Sequence, residues 1–204
     1  MYGSAVAPLH TQLTELPIGS GLWVGYSLGG MRLLAELLSG QSANGKPSKS
    51  RPEALVLISS TLSFCQREAA PYGTPVAQLR GIRAGLAKDP HKVRATFAKH
   101  CWAPQSPPEF WEKLLHEDVE RLTAGCNDLI DFDFTGESFA ALQDLPVLVL
   151  HGAEDLVTSP QAAVALAAAL GTTPVFADGA GHALPISHAD WCAAAITAFV
   201  ECLS

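Results

Sequence analysis

The apolar run Leu22-Trp23-Val24 leads into Gly25-Tyr26-Ser27-Leu28-Gly29-Gly30, and Met31 to Leu38 leaves it with the spacing of a helix. This junction constrains the chain more than any other stretch, because it sets a serine on a tight turn between a strand and a helix. A serine hydroxyl is a weak nucleophile at neutral pH and needs a neighbouring base and a site for the developing oxyanion. A sharp strand-to-helix turn lifts the hydroxyl clear of the sheet, and the spacing G-x-S-x-G puts Gly25 and Gly29 where small residues relieve crowding. The N–H of Leu28 then falls at a helix start, where it can donate to an oxyanion. Taken alone, the stretch is equally well a glycine-rich turn before any helix.

The surrounding pattern predicts what the turn is built on. Leu22 to Gly25 reads as a buried strand, followed by a helix over Met31 to Leu38 that stops around Ser39-Gly40. Further apolar strands are expected over 54–58, 146–150 and 173–177, with helices over 161–170 and 189–203 and a short amphipathic helix over 9–16 between Pro8 and Pro17. Gln41 to Pro52 is polar and reads as an exposed loop. Short strands that are apolar throughout and alternate with helices indicate an α/β fold, a parallel sheet of about four strands covered on both faces. The segment 61–145 breaks the rhythm. It holds helical patches over 76–88, 91–100, 108–122 and 137–142, so it reads as a helical cap inserted between core segments 1–60 and 146–204.

Two polar groups follow later strands. Strand 146–150 runs into His151-Gly152-Ala153-Glu154-Asp155, and strand 173–177 into Asp178-Gly179-Ala180-Gly181-His182. Both therefore fall past carboxyl ends of strands, where open α/β sheets hold their ligands. The order Ser27, Asp155, His182 is the one this kind of elbow requires. In that arrangement Asp155 orients the imidazole of His182, which takes the proton of Ser27 and returns it to the leaving group. Singly, Asp155 also reads as an acid near a helix N-terminus, and His182 as a loop histidine; the three together, after three strands, point to a triad.

These stretches carry a resemblance. GYSLGG, HGAEDLV and GAGHALPISH resemble the nucleophile elbow, acid turn and histidine turn of the α/β-hydrolase fold. More narrowly, LWVGYSLGGMRLL, ALVLISSTLSFC, LTAGCNDLIDFDFTGESFAALQDLPVLVLHG and HALPISHADWC resemble the pimeloyl-(acyl-carrier protein) methyl ester carboxylesterases of biotin synthesis. The resemblance implies a serine carboxylesterase that needs no cofactor or metal, acting on a methyl ester borne by acyl carrier protein. The same triad also suits a general small-ester hydrolase, a thioesterase or a carbon–carbon hydrolase. The resemblance covers almost all of this chain but only the later part of a complete family member. A complete member has further strands ahead of residue 9 and a His-Gly loop supplying a second oxyanion donor. Without that donor a rate loss on the order of 10²–10³ is expected. The strand over 22–25 would then border an open apolar edge able to pair with another copy. A fragment is the expected explanation, with a short self-pairing form and a non-catalytic relative as the others.

Charge adds a candidate partner. The 204-residue chain carries a formal charge of −7, which gives no general reason to expect nucleic acid. Between Arg67 and Lys99, however, seven basic residues, among them Arg80, Arg83 and Arg94, face only Glu68 and Asp89. Between Glu109 and Asp144 ten acidic residues face Lys113 and Arg121. A basic first half of the cap could steer an acidic partner such as acyl carrier protein, or simply pair with the acidic half. Phe64, Phe97, Trp102, Phe110 and Trp111 are candidates for an acyl slot, with Phe97 the one assigned to substrate, although such aromatics more often form simply the core of a helical cap. The five scattered cysteines show no CxxC or zinc spacing and read as reduced thiols in a cytoplasmic protein. No signal peptide or membrane span is expected.

Overall fold

The computed structural model describes residues 21–40, 51–114 and 118–203. The helix expected over 9–16 and nearly all of the loop expected over 41–52 lie outside them. Four strands, β1 (Leu22–Tyr26), β2 (Ala54–Ile58), β3 (Val147–Gly152) and β4 (Pro174–Ala177), form one sheet in the order β1-β2-β3-β4. All three pairings are parallel, with Tyr26 opposite Ile58, Ile58 opposite Leu150 and Gly152 opposite Ala177, so the strand ends share one rim.

Alternation along the strands explains the two layers. On one face Leu55, Leu57, Val147 and Val149 pack with Met31, Leu33 and Leu34 of α1 (Leu28–Ser39) and Ala163, Leu166 and Ala167 of α6 (Pro160–Ala169). On the other face Val56, Ile58 and Leu150 meet Leu184 of α7 (Leu184–Ser187) and Cys192 and Phe199 of α8 (Ala189–Glu201). A strand buried from both sides has no polar face to show, which is why β2 is apolar throughout. β1 departs from the buried strand expected there. Leu22 is 37% and Val24 48% exposed, because among the described residues β1 is hydrogen-bonded only to β2, and α8 lies against β3.

Between β2 and β3 the chain forms α2 (Val76–Leu86), α3 (Pro90–Trp102), α4 (Glu109–Leu114) and α5 (Val119–Asp131). Asp89 and Asp118 cap α3 and α5 by accepting from Lys92 N–H and Arg121 N–H. The helix expected over 108–122 is in fact two, and α5 runs nine residues past 122, to Asp131. Gly125, Asn127 and two acids make that extension weak as an isolated helix, but Leu122, Cys126, Leu129 and Ile130 recur at helical spacing and pack on Leu79, Ile82 and Leu86 of α2. Over 137–142 only a 3₁₀ turn forms, at Ala140–Leu142. Arg32 on α1 donates to Asp128 on α5 from both Nε (3.0 Å) and Nη2 (2.5 Å), joining this layer to the elbow helix. No helix of the described residues is long and apolar enough to cross a membrane.

Candidate active site

Ser27 is the residue between β1 and α1, with φ 52° and ψ −123°. This is a region L-residues rarely enter, and it places strain at the turn. The turn is held from several directions. Ser27 N–H donates to Ile58 O at 2.8 Å, and Ser27 O accepts from Gly30 N–H (3.0 Å), Met31 N–H (3.4 Å) and Ser60 Oγ–H (3.0 Å). Crowding explains two glycines, but not the pair expected. A Cβ on Gly25 would meet Gly30 Cα at 2.6 Å, and one on Gly30 would meet Ser60 Oγ at 2.5 Å. Nothing lies within 4 Å of the corresponding position on Gly29. The close approach is therefore of the α1 backbone to β1 and to the loop after β2. Within the described residues, Leu28 N–H and Gly29 N–H have no acceptor, as expected of a first helical turn.

The other two loops come to the same point. His182 Nδ1 lies 2.8 Å from Asp155 Oδ2, and His182 Nε2 lies 2.9 Å from Ser27 Oγ. A carboxylate only accepts, so Nδ1 carries the proton and leaves Nε2 to accept from the serine hydroxyl. Asp155 is 3% and His182 2% exposed. The second carboxylate oxygen, Oδ1, accepts from Val157 N–H and Thr158 N–H, both at 2.8 Å. Tyr26, beside the serine, donates its hydroxyl to the backbone carbonyl of His182 at 2.9 Å, and the two rings lie 5.4 Å apart. Burial pushes the Tyr26 phenol well above its usual range, and Cys101 and the negative Asp155 push the same way. Burial likewise carries the Cys101 thiol up to about 12, with Asp155 adding to it. Both groups stay protonated beside the acid.

Two more glycines let the acid and histidine loops touch. A Cβ on Gly152 would fall on the carbonyl oxygens of Ala180 and Gly181, and one on Gly181 on the carbonyl of Ala103 at the end of α3. Glu154 N–H donates to Ala180 O at 2.9 Å, and Ala183 N–H to Cys101 O at 2.7 Å. The histidine loop is thus wedged between the acid loop and α3.

The remaining expected residues scatter. Trp102 and Trp111 pack with Val157 and Ala183, neighbours of the acid and the imidazole, with their rings 5.4 Å apart and edge to face. Phe110 sets its ring against Trp102 at 6.5 Å, while Phe64 packs among the buried clusters. Phe97 stands 45% exposed on α3 and belongs to none of the apolar clusters formed by the described residues. Arg80 is exposed on α2, whereas Arg83 donates to Asn127 on α5 at 2.6 Å and the Nε and Nη1 of Arg94 are buried. Sequence reasoning passed over Tyr26, Gly30 and Ser60 as site residues. The signal for Ser60 was its position just past the apolar strand 54–58, on the rim where the other loops end.

Residues 2–195 match the Alpha/beta hydrolase family. No curated protein matches the chain. Among solved structures, an esterase from Exiguobacterium antarcticum aligns with a TM-score of 0.72 at 19% identity, over 87% of this chain and 65% of its own. A bromoperoxidase from Bacillus anthracis aligns with a TM-score of 0.69 at 21% identity, over 95% and 71%. An enol-lactonase from Burkholderia xenovorans LB400 aligns with a TM-score of 0.67 at 18% identity, over 93% and 68%. At such identities the likeness is one of fold, and the chain spans about two thirds of the length of these proteins, 65% of the esterase.

Proposed function

The chain belongs to the alpha/beta hydrolase family, and on that premise we propose that it is a serine hydrolase of carboxylic esters. The observation that carries this reading is the single imidazole set 2.9 Å from a strained serine hydroxyl and 2.8 Å from a buried carboxylate. In the proposed reaction Ser27 Oγ attacks the ester carbonyl as His182 Nε2 takes its proton. The Leu28 N–H stabilises the oxyanion, and His182 then protonates the departing alcohol. Water, deprotonated by the same imidazole, cleaves the acyl-serine. Asp155 holds the Nδ1–H tautomer throughout and stabilises the imidazolium. A fluorophosphonate probe tests the reading: the wild type is labelled at Ser27, and Ser27→Ala is not. A folded wild type that stays unlabelled would leave a non-catalytic member of the family.

A finer reading is that the ester is a methyl ester of a dicarboxylic acyl chain on acyl carrier protein. It is supported by the four stretches that resemble the biotin-pathway carboxylesterases and by the basic bias between Arg67 and Lys99. Arg80, Lys88, Lys92 and Lys99 are exposed and available to an acidic partner, while Arg83 is engaged with Asn127. Charge reversal of Arg80 together with Lys88 and Lys92 then lowers turnover of the carrier-bound ester and spares a short nitrophenyl ester. Equal effects on both substrates would leave the broader esterase reading alone.

A further inference from the structure

A second histidine stands behind the acid. His151, next to last in β3, is 0% exposed, and its Nε2 lies 2.8 Å from the carbonyl oxygen of Thr158. A carbonyl only accepts, so Nε2 carries a proton. The same Nε2 lies 3.4 Å from Asp155 Oδ2, the oxygen that receives His182 Nδ1–H. His151 Nδ1 is buried and has no hydrogen-bond partner among the described residues. A second proton there would create a buried charge with an unpaired donor, the costliest arrangement open to the ring.

We propose that His151 is a positioning residue for the Asp155 carboxylate, held in its neutral Nε2–H form. It closes the acid turn like a strut. Its side chain ties Thr158 O back to the end of β3, while Thr158 N–H holds Asp155 Oδ1, so residues 151, 155 and 158 brace one another. Fixing Thr158 fixes the rotation of the carboxylate, and with it the oxygen presented to His182. The groups facing His151 agree with a neutral ring. Asp155 from the acid loop favours a charge on it and His182 from the histidine loop opposes one, while the Phe176 ring from β4 stands edge-on at 6.2 Å. Burial outweighs the attraction of Asp155 and holds the imidazole below its ordinary value. Tyr26 and Cys101, the other titratable groups near the carboxylate, stay protonated and add no charge. The acid therefore feels one imidazolium during turnover, that of His182, and never two.

The catalytic side of this inference rests on the esterase reading, and two readouts keep them apart. The first needs no activity: long-range proton–nitrogen spectra of the imidazoles between about pH 5 and 8, the range in which an ordinary histidine changes charge. His151 is expected as the neutral Nε2–H tautomer across it, and the His182 Nδ1 proton is expected to shift in His151→Phe. A doubly protonated His151 there, or an unmoved His182 signal, overturns the proposal. The second readout is the rate of Ser27 labelling by a fluorophosphonate and hydrolysis of a nitrophenyl ester. His151→Phe lowers labelling and kcat by roughly ten- to a hundredfold, as expected for a misplaced catalytic group, with KM little changed. His151→Gln, whose amide N–H stands near the place of Nε2–H, recovers most of that loss. A folded His151→Phe that labels at the wild-type rate overturns the proposal. Wild type that does not label overturns the esterase reading, and the spectra alone then decide for or against His151.

Discussion

Ser60 Oγ–H donates to the carbonyl of Ser27 at 3.0 Å, and the same oxygen lies 2.5 Å from where a Cβ on Gly30 would be. One hydroxyl thus braces the strained turn and fills the space that keeps position 30 a glycine. The elbow is packed against the loop after β2, not merely bent, and this has measurable consequences.

Gly25→Ala and Gly30→Ala are expected to destabilise the fold by about 1–3 kcal/mol, the usual cost of overpacking. The new methyl at 25 meets backbone atoms of Gly30 at 2.6 and 2.9 Å, and that at 30 meets Ser60 Cβ at 2.7 Å. Gly29→Ala enters open space in a helix and is expected to be as stable as wild type or more so, since alanine is favoured over glycine there by about 1 kcal/mol. Urea unfolding of the three variants checks the order.

Ser27→Gly and Ser27→Ala both remove the hydroxyl, so neither is labelled by a fluorophosphonate. They differ at the backbone, where φ is 52°. Glycine relieves that conformation and alanine does not, so Ser27→Gly is expected to be the more stable by about 1 kcal/mol. Equal melting temperatures would show that the turn stores no strain.

Asp155→Asn tests the orientation of the imidazole. Val157 N–H and Thr158 N–H hold Oδ1 and so keep the amide oxygen, which turns the amide NH₂ toward His182. Nδ1 must then accept, and Nε2–H faces the serine in the wrong tautomer. A fall in kcat on the order of 10⁴ with the fold intact is expected, by analogy with other triads. Steady-state kinetics with a nitrophenyl ester, alongside circular dichroism, measures it.

His151 also enters the pH dependence of stability. Its folded pKa is depressed by burial. The unfolded chain therefore takes up a proton, as pH falls through about 6.5, that the folded chain refuses. Stability contributed by the neutral ring is whole above that value and is lost on acidification. The advantage of wild type over His151→Gln in melting temperature is thus largest near neutrality and narrows toward about pH 5. An advantage that grows with acid would mean the ring is charged in the fold.

Four of the five cysteines are buried, Cys65, Cys101, Cys126 and Cys192, and burial raises the thiol pKa of each, that of Cys101 to about 12. Only Cys202 is exposed. Titration of native protein with a chromogenic disulfide is expected to give one fast thiol, with the others released on unfolding.

The elements legible along the chain are those set by near neighbours. The apolar run 54–58 is a strand to the residue, the glycine at 40 ends α1 in a left-handed conformation, and Pro160 after the capping Ser159 starts α6. The order of Ser27, Asp155 and His182 after three strands was likewise readable, because strand ends in a parallel sheet share a rim. Other features depend on atoms far apart in the chain. Gly30, not Gly29, is the crowded glycine because Ser60 is its neighbour in space. α5 persists to Asp131 because α2 covers its apolar stripe, and α7, four residues long, has too little pattern to read before Cys192 and Leu150 pack around it. His151 stands in the sequence just before Gly152, and its bond to Thr158 exists only once the acid loop has closed. Periodicity and turn chemistry act over a few residues and are written in the sequence directly. Which polar atoms meet is decided by the pairing of distant strands and by the exclusion of water between them, and these exist only in the folded chain.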